Sequence, residues 1–302
     1  MTLNQVGTGS GHSMGLPGRV RGTVRAGHKR QVCQMVSGSH QSGRGPSRAT
    51  MLARMNPLEA LDVFKRRVVP AMRERGPLTV LVTCVRWVLG YVLGRLGLSE
   101  ASKGSFTFEG RRIPYFRHTY HYTWLGERNV EVALAQELLD AHRGEKILEV
   151  GNVTPHYLAD VDHTVVDKYE VAPGVLNLDV VDIDLPEGSF DLVVAISTLE
   201  HVGLDEDVVD PEKPARAVAL LKSLVRPGGT LWVTHPVGYN PTLDADLRNG
   251  AIAFDSLKAL RRSPTRNVWR QVDVDDVWDA EYDRFLFAAH GIVVAEYQRP
   301  LV

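Results

Sequence analysis

Cysteine is nearly absent. Cys33 and Cys84 are the only two in 302 residues, far apart and without paired spacing. That excludes a disulfide framework, and a reducing, cytoplasmic compartment is the expectation. No pair of histidines falls at a spacing that would ligate a metal on one helix face, so no metal site is expected. Acid is missing from residues 1–50, which hold seven basic side chains (Arg19, Arg21, Arg25, Lys29, Arg30, Arg44, Arg48). The rest of the chain holds 28 basic and 36 acidic residues. Such an acidic body is poorly suited to gripping nucleic-acid phosphates, and no nucleic-acid partner is expected for it. The basic start also lacks the apolar core that a signal peptide needs. It lacks apolar periodicity as well, so residues 1–55 are expected to be a disordered basic tail. Whether that tail is a nucleic-acid arm or translation begins at Met51 or Met55 is open.

Beyond the tail the chain becomes patterned. Residues 56–105 read as a helical extension. Asn56, Pro57 and Glu59 form a helix start, and Leu58, Leu61, Phe64 and Val68 recur at helical spacing, with Pro70 as a kink. "PLTVLVTCVRWVLGYVLGRLGL" (77–98) is apolar except for Arg86 and Arg95. It admits three readings: a membrane span, made costly by the two arginines; a helix lying on a membrane surface; or a helix packed on its own domain or on a dimer partner. "FTFEGRRIPYF" alternates about Glu109-Gly110 like a short hairpin. "ERNVEVALAQELLDAH" spaces Val130, Ala133, Leu134, Leu138 and Ala141 as a helix, stopped near Gly144.

Residues 106–302 read as one domain. "KILEVG", "HTVVD", "VLNLD", "FDLVVAIS" and "GTLWVTH" are short apolar runs separated by helical or turn-forming stretches. "PEKPARAVALLKSLVRPGG" reads as an amphipathic helix ended by Pro227-Gly228-Gly229. Alternation of this kind predicts an α/β fold with a mostly parallel sheet and helices on both faces. Ligands in such folds bind at the carboxyl ends of the strands. Those ends carry Glu149, Gly151 and Asn152; Asp167 and Lys168; Asp179 and Val180; Ser197, Glu200 and His201; and His235 and Tyr239. The tail is expected to close the sheet, with a hairpin in "LKALRRSPTRNVWRQV" and a last strand in "GIVVAEYQ".

Glycine is short where a dinucleotide site would need it. After Glu149 and Gly151, the next two alternating positions hold Val153 and Pro155. A pyrophosphate needs free backbone amides in that turn, and proline has none. Asp167 lies eighteen residues after Glu149, a spacing that suits the two hydroxyls of a ribose. Ribose without phosphate points to S-adenosylmethionine.

"ILEVGN", "VVDKYE", "LPEGSFDLVVAISTLEHVG" and "LVRPGGTLWVT" together resemble the class I, Rossmann-like S-adenosylmethionine-dependent methyltransferases, over residues 127–298. The resemblance implies a seven-stranded sheet whose last strand is antiparallel. It implies that Glu149, Gly151 and Asn152 border the methionine end, with Ser197 beneath it. Asp167 would take the ribose hydroxyls and Lys168 would cover the adenine. Asp179 and the Val180 amide would meet the adenine edge. His201 is the first candidate base and His235 the second. His118, Tyr120 and Tyr122, together with Glu200 and Tyr239, are candidates for the acceptor pocket, and His121 and Trp124 belong to the same aromatic stretch.

The expected function is methyl transfer to a small-molecule acceptor, a sugar or lipid-linked compound among the candidates, at oxygen. The expected setting is cytoplasmic, with peripheral membrane contact through 77–98 as an option and the oligomeric state open. A non-catalytic adenosine-binding scaffold and a dinucleotide oxidoreductase are the alternatives.

Overall fold

A computed structural model describes residues 67–301. The tail assigned to 1–55 and the helix start at Asn56 lie outside the described residues. Helices α1 (Val69–Arg75) and α2 (Pro77–Arg95) come first. Gly76, at φ +81°, divides them. A short helix α3 (Glu100–Lys103) leads to the hairpin β1 (Ser105–Phe108) and β2 (Arg111–Pro114). Its turn residues Glu109 and Gly110 have φ of +51° and +73°, the left-handed pair that matches the strands' twist. A 3-10 segment, Tyr120–Leu125, enters helix α4 (Arg128–Ala141), which is followed by β3 (Ile147–Val150), β4 (Thr164–Val166), β5 (Val175–Leu176) and β6 (Phe190–Ile196). Then come α5 (Lys213–Leu224), β7 (Val225–Pro236), α6 (Pro241–Asn249), β8 (Ser256–Arg262) and β9 (Trp269–Val272). A small ladder, β10 (Tyr282–Asp283) and β11 (Ala288–Ala289), precedes the last strand β12 (Gly291–Gln298).

The main sheet has the order β5-β4-β3-β6-β7-β12-β8-β9. Its first five strands run parallel. β12 is antiparallel and inserts between β7 and β8. The fold is therefore the expected mostly parallel α/β sheet, with one strand more than the seven foreseen, because β8 and β9 form an antiparallel hairpin. Helix α5 ends at Leu224, and Pro227-Gly228-Gly229 lies inside β7 rather than at the helix end. A Cβ on Gly229 would meet the Asp191 carbonyl at 2.6 Å, so the crossing of β6 and β7 there requires glycine.

From Leu192 to Ile196 β6 is buried on both faces, which explains the apolar run there. Val193 and Ala195 face a core shared with Ala217, Leu221 and Leu224 of α5. Leu192, Val194 and Ile196 face the opposite core, with Val130, Ala133 and Leu134 of α4 and Phe106 and Ile113 of the hairpin. Each fully buried valine, leucine, isoleucine or phenylalanine among them contributes about 1.5–3 kcal/mol. The frame they make is rigid, and the carboxyl ends of β3, β4, β5, β6 and β7 all open on one side of it.

Helix α2 packs on its own domain along one face. Gly90 and Gly94 let one face approach Leu125 and Trp124, and Tyr91 meets Tyr122 edge to face. The opposite face, from Leu78 (72% exposed) to Leu96 (64%), remains uncovered.

Candidate functional site

A cavity of about 1460 Å³ runs along the carboxyl ends of the strands and beneath α2. Gly151, Asn152, Asp167, Lys168, Asp179, Val180, Ser197, His201, Tyr120, Tyr122 and Tyr239 line it. Glu149, Glu200, His235 and His118 do not.

Glu149 is wholly buried at the end of β3. Its Oε1 accepts the backbone N–H groups of Val153 at 3.0 Å and Thr154 at 2.7 Å. Its Oε2 accepts the Thr154 hydroxyl and lies 2.7 Å from His163 Nε2. The expectation that Glu149 borders a ligand is thus corrected, since its carboxylate is spent on closing its own loop. The same bonds say why the turn tolerates Val153 and Pro155: its amides bind a carboxylate of the protein and need not face an external anion. Gly151, at φ +88°, sits where a Cβ would lie 2.2 Å from Thr198 Oγ1, so only glycine fits. Next to it, Asn152 is buried, and its Oδ1 has no hydrogen-bond partner among the described residues.

Asp167, just after β4, accepts backbone N–H groups from Asn152 (3.0 Å), Tyr169 (2.8 Å) and Glu170 (2.7 Å). A carboxylate offers about four lone-pair sites, so capacity remains toward the cavity. Asp179 belongs to a quartet. Its Oδ2 pairs with Lys168 at 2.7 Å and Lys213 at 2.5 Å, and both lysines also reach Glu206. Burial would raise the Asp179 carboxyl, yet the hydrogen bonds from the two lysines hold it below the usual range. Lys168 is charged for the reciprocal reason: burial opposes its charge, and Asp179 and Glu206 more than offset that.

Beyond β6, Ser197 holds φ +41°, an unusual backbone for a residue with a Cβ. Its hydroxyl donates to Glu131 Oε1 at 2.5 Å, and Thr234 donates to the same oxygen at 2.8 Å. Glu131 in turn is paired with Arg128 at 2.5 Å. His201 Nδ1 lies 2.5 Å from Asp205 Oδ2, and the Tyr239 phenol donates to that oxygen over 2.5 Å. Burial works against a charged His201, but the Asp205 hydrogen bond and the charge of Glu200 outweigh it and raise its pKa. Asp205 is held low against burial by His201 and Tyr239, while burial and Asp205 keep the Tyr239 phenol protonated.

Glu200 is buried behind His201, Oε1 to Nε2 3.6 Å, and burial raises its pKa. It therefore does not meet an acceptor directly. His235 is also enclosed: Nε2 binds Asp244 Oδ1 at 2.6 Å, and Asp244 Oδ2 accepts the Gly238 N–H, pinning α6 to the end of β7. An imidazole sealed in this way cannot reach a cavity ligand, and the base candidate His235 is corrected to a structural one. His118 Nδ1 accepts the Tyr120 N–H at 3.1 Å, and the ring does not line the cavity, which corrects its place among the acceptor-pocket candidates. Tyr120 stacks on His121 and His156, and Tyr122 packs between Tyr91 and Trp124.

Residues 144–233 match the family described as "Methyltransferase domain". They run from the turn before β3 into the middle of β7 and supply most of the strand ends just described. The match covers 90 of the chain's 302 residues, and over that stretch the chain is similar to a methyltransferase domain. S-adenosylmethionine is the cofactor that this similarity implies. No curated protein matches the chain. Among solved structures, the N-methyltransferase NodS from Bradyrhizobium japonicum is 17% identical, with 58% of this chain and 96% of that one covered at a TM-score of 0.35. A 1,6-didemethyltoxoflavin-N1-methyltransferase from Burkholderia thailandensis, bound to its substrate and S-adenosylhomocysteine, is 16% identical, with coverage of 57% and 79% and a TM-score of 0.33. A possible histamine N-methyltransferase from Thermotoga maritima is 12% identical, with coverage of 56% and 89% and a TM-score of 0.34.

The methyltransferase cavity suits that cofactor. Asn152 Oδ1 is a buried acceptor awaiting a donor, the carboxylates of Asp167 and Asp179 line the wall, and no row of free loop amides is present to hold a pyrophosphate. Several methyltransferase residues escaped sequence reading. Asp205 stands four residues after His201, a helical spacing that could have found it. Glu131 was visible only as one acid inside an apolar stripe. Arg128, Tyr157 and Tyr282, which also line the cavity, carried no local signal.

Proposed function

We propose that this methyltransferase transfers a methyl group to a hydroxyl oxygen of a small-molecule acceptor, a sugar or lipid-linked compound, with His201 as the general base. When bound, S-adenosylmethionine supplies a methyl group already activated on a sulfonium sulfur. The chain's own residues then have three tasks: to grip the nucleoside, to hold the acceptor in line, and to take its proton. For the first, Asp167 holds the ribose hydroxyls, Asp179 and the Val180 amide face the adenine edge, Lys168 covers its face, and Asn152 Oδ1 receives the methionine amine. Ser197 and Gly151 shape the floor. For the second, Tyr120, Tyr122 and Tyr239 wall the acceptor.

The observation that carries the third task is the His201–Asp205 contact of 2.5 Å at the cavity wall. Asp205 fixes the proton on Nδ1, and Nε2, 3.6 Å from Glu200 Oε1 and so beyond hydrogen-bond reach of it, is the nitrogen left to take the acceptor's proton. A hydroxyl acceptor needs such a base, whereas an amine that is already neutral does not. A cytoplasmic setting accompanies this reading, on the scarcity and spacing of cysteine.

The test is a thermal-shift titration of the purified protein with S-adenosylhomocysteine, NAD and NADP. Binding of S-adenosylhomocysteine with little response to the dinucleotides is expected, and the reverse pattern overturns the reading. Asp167→Ala should weaken S-adenosylhomocysteine by about 1–3 kcal/mol, the worth of hydrogen bonds to a charged group. Unchanged affinity would leave Asp167 as a backbone cap alone.

A further inference from the structure

The uncovered face of α2 is an ordered surface. Leu78, Leu81, Val82, Val85, Val88, Val92 and Leu96 are all exposed, and their spacing keeps them on one side of a helix. They form one apolar stripe along the whole helix. A stripe of this kind on a soluble surface is costly unless something covers it.

By length and composition the helical segment Pro77–Lys103 could cross a membrane. Its inner face argues otherwise. A Cβ on Gly94 would enter the Trp124 ring, Tyr91 packs on Tyr122, and Thr83, Arg86, Trp87, Gly90 and Leu93 wall the methyltransferase cavity. A helix bound along one side to a polar lobe cannot be surrounded by acyl chains. It can lie at the boundary of headgroups and acyl chains with only its outer stripe immersed. Exposed Arg95, at its end and outside the cavity wall, would then reach to the headgroups.

The charge around the helix chooses the surface. Residues 1–98 hold 15 basic and 3 acidic side chains, while residues 99–302 hold 20 basic and 33 acidic. Among the described residues, 67–98 carry five basic side chains and one acidic, so the stretch that holds the stripe is positive. Basic residues near an anionic leaflet are drawn to its headgroups. A second copy of this chain would bring the same positive charge against itself.

We infer that α2 seats the enzyme on an anionic lipid bilayer, outer face in the lipid and inner face walling the cavity, so that acceptors reach the site from the membrane. The membrane contact stands on the stripe and the charge; the route of the acceptor rests on the methyltransferase reading.

The experiment is co-sedimentation of the full chain with vesicles of phosphatidylcholine alone or with about a third phosphatidylglycerol. Wild type should pellet with the anionic vesicles and mostly stay in solution with the neutral ones. L81E/V85E/V88E, at positions outside the cavity wall, should lower partitioning by at least about tenfold, and the milder L81A/V85A/V88A by less. Both variants should bind S-adenosylhomocysteine like wild type, which reports folding and the cofactor site separately from the membrane. Wild type that ignores anionic vesicles, or glutamate variants that bind them equally, overturns the inference. So does a wild-type dimer that the glutamate variant dissociates, which would give the stripe to a second copy. Vesicle binding without S-adenosylhomocysteine binding would overturn the cofactor reading and the acceptor route that rests on it, and leave the bilayer contact standing.

Discussion

Asp205 lies 2.5 Å from His201 Nδ1, and the same carboxylate oxygen receives the Tyr239 phenol. The contact does two things at once. It sets the direction of the imidazole, and it raises the pKa of His201 in spite of burial.

If His201 is the base, its neutral form is the active one. The methyl-transfer rate should then rise with pH through a midpoint above the ordinary histidine value of about 6.5. Asp205→Asn removes the main raising contact and leaves burial, so the midpoint should move to lower pH; a His201→Asn profile should be flat. A wild-type profile unmoved by Asp205→Asn would remove His201 from the mechanism. The stability sign is opposite in sense. Because the folded pKa is raised, charged His201 stabilises the fold below the unfolded value, and this contribution is lost as pH rises through the folded pKa. Thermal unfolding followed across pH 5.5–8.5 checks it, with His201→Asn as the reference.

Glu149 and Thr154 make the second relationship worth breaking. Glu149→Gln keeps the shape but offers an N–H₂ where the Thr154 hydroxyl or His163 donates. The cost should be about 2–4 kcal/mol, as for a buried carboxylate stripped of charge-assisted bonds, and Tm should fall by several degrees. Affinity for S-adenosylhomocysteine should fall along with it, because Asn152 sits on the loop that Glu149 closes. Circular dichroism and calorimetric titration on the one variant separate the two losses. An unchanged Tm would show that the loop does not need the carboxylate.

Gly151 and Thr198 allow a double-mutant cycle. Gly151→Ala brings a Cβ to 2.2 Å from Thr198 Oγ1 at a φ of +88°. Clash and left-handed strain should together cost about 2–4 kcal/mol. Thr198→Ala removes Oγ1 and Cγ2 from the contact, so the double variant should recover the clash and keep roughly 1–2 kcal/mol of strain. Strict additivity in urea unfolding would refute the contact.

Local pattern carried much of this architecture. Alternating apolar runs named β3, β4, β6 and β7, and Glu109-Gly110 named the first hairpin, because those signals are confined to a few adjacent residues. β9 was harder, since a four-residue edge strand shows little beyond a hairpin hint. Within the site, residues at strand ends were legible because topology alone puts them there. Side-chain direction was not. Glu149 and His235 stand at the foreseen positions and turn inward, toward Thr154 and Asp244. What turns them is the need of buried backbone and carboxylate groups for partners, and that need is met by residues five to nine positions away or more. Glu131, which takes the Ser197 hydroxyl from 66 residues earlier, lies beyond any local pattern.

The union of α2 with the domain depends on Gly94 and Trp124. A Cβ at position 94 would lie 1.9 Å from Trp124 Cδ1, and Trp124 is fully buried. Taken alone, alanine favours a helix over glycine by about 1 kcal/mol, so a gain in stability is what propensity foretells for Gly94→Ala. Packing foretells the reverse, a loss of about 1–3 kcal/mol from an overfilled contact, with Trp124 displaced and the cavity wall loosened. The packing effect should win, because the indole is buried and held among Tyr122, Ala101 and Tyr91. Gly126→Ala is the control, since a Cβ there meets nothing within 4 Å. Tryptophan emission and Tm decide between them. A red-shifted, less stable Gly94→Ala beside an unaltered Gly126→Ala shows that α2 is held on the domain by this contact; a blue-shifted or stabilised Gly94→Ala shows that it is not.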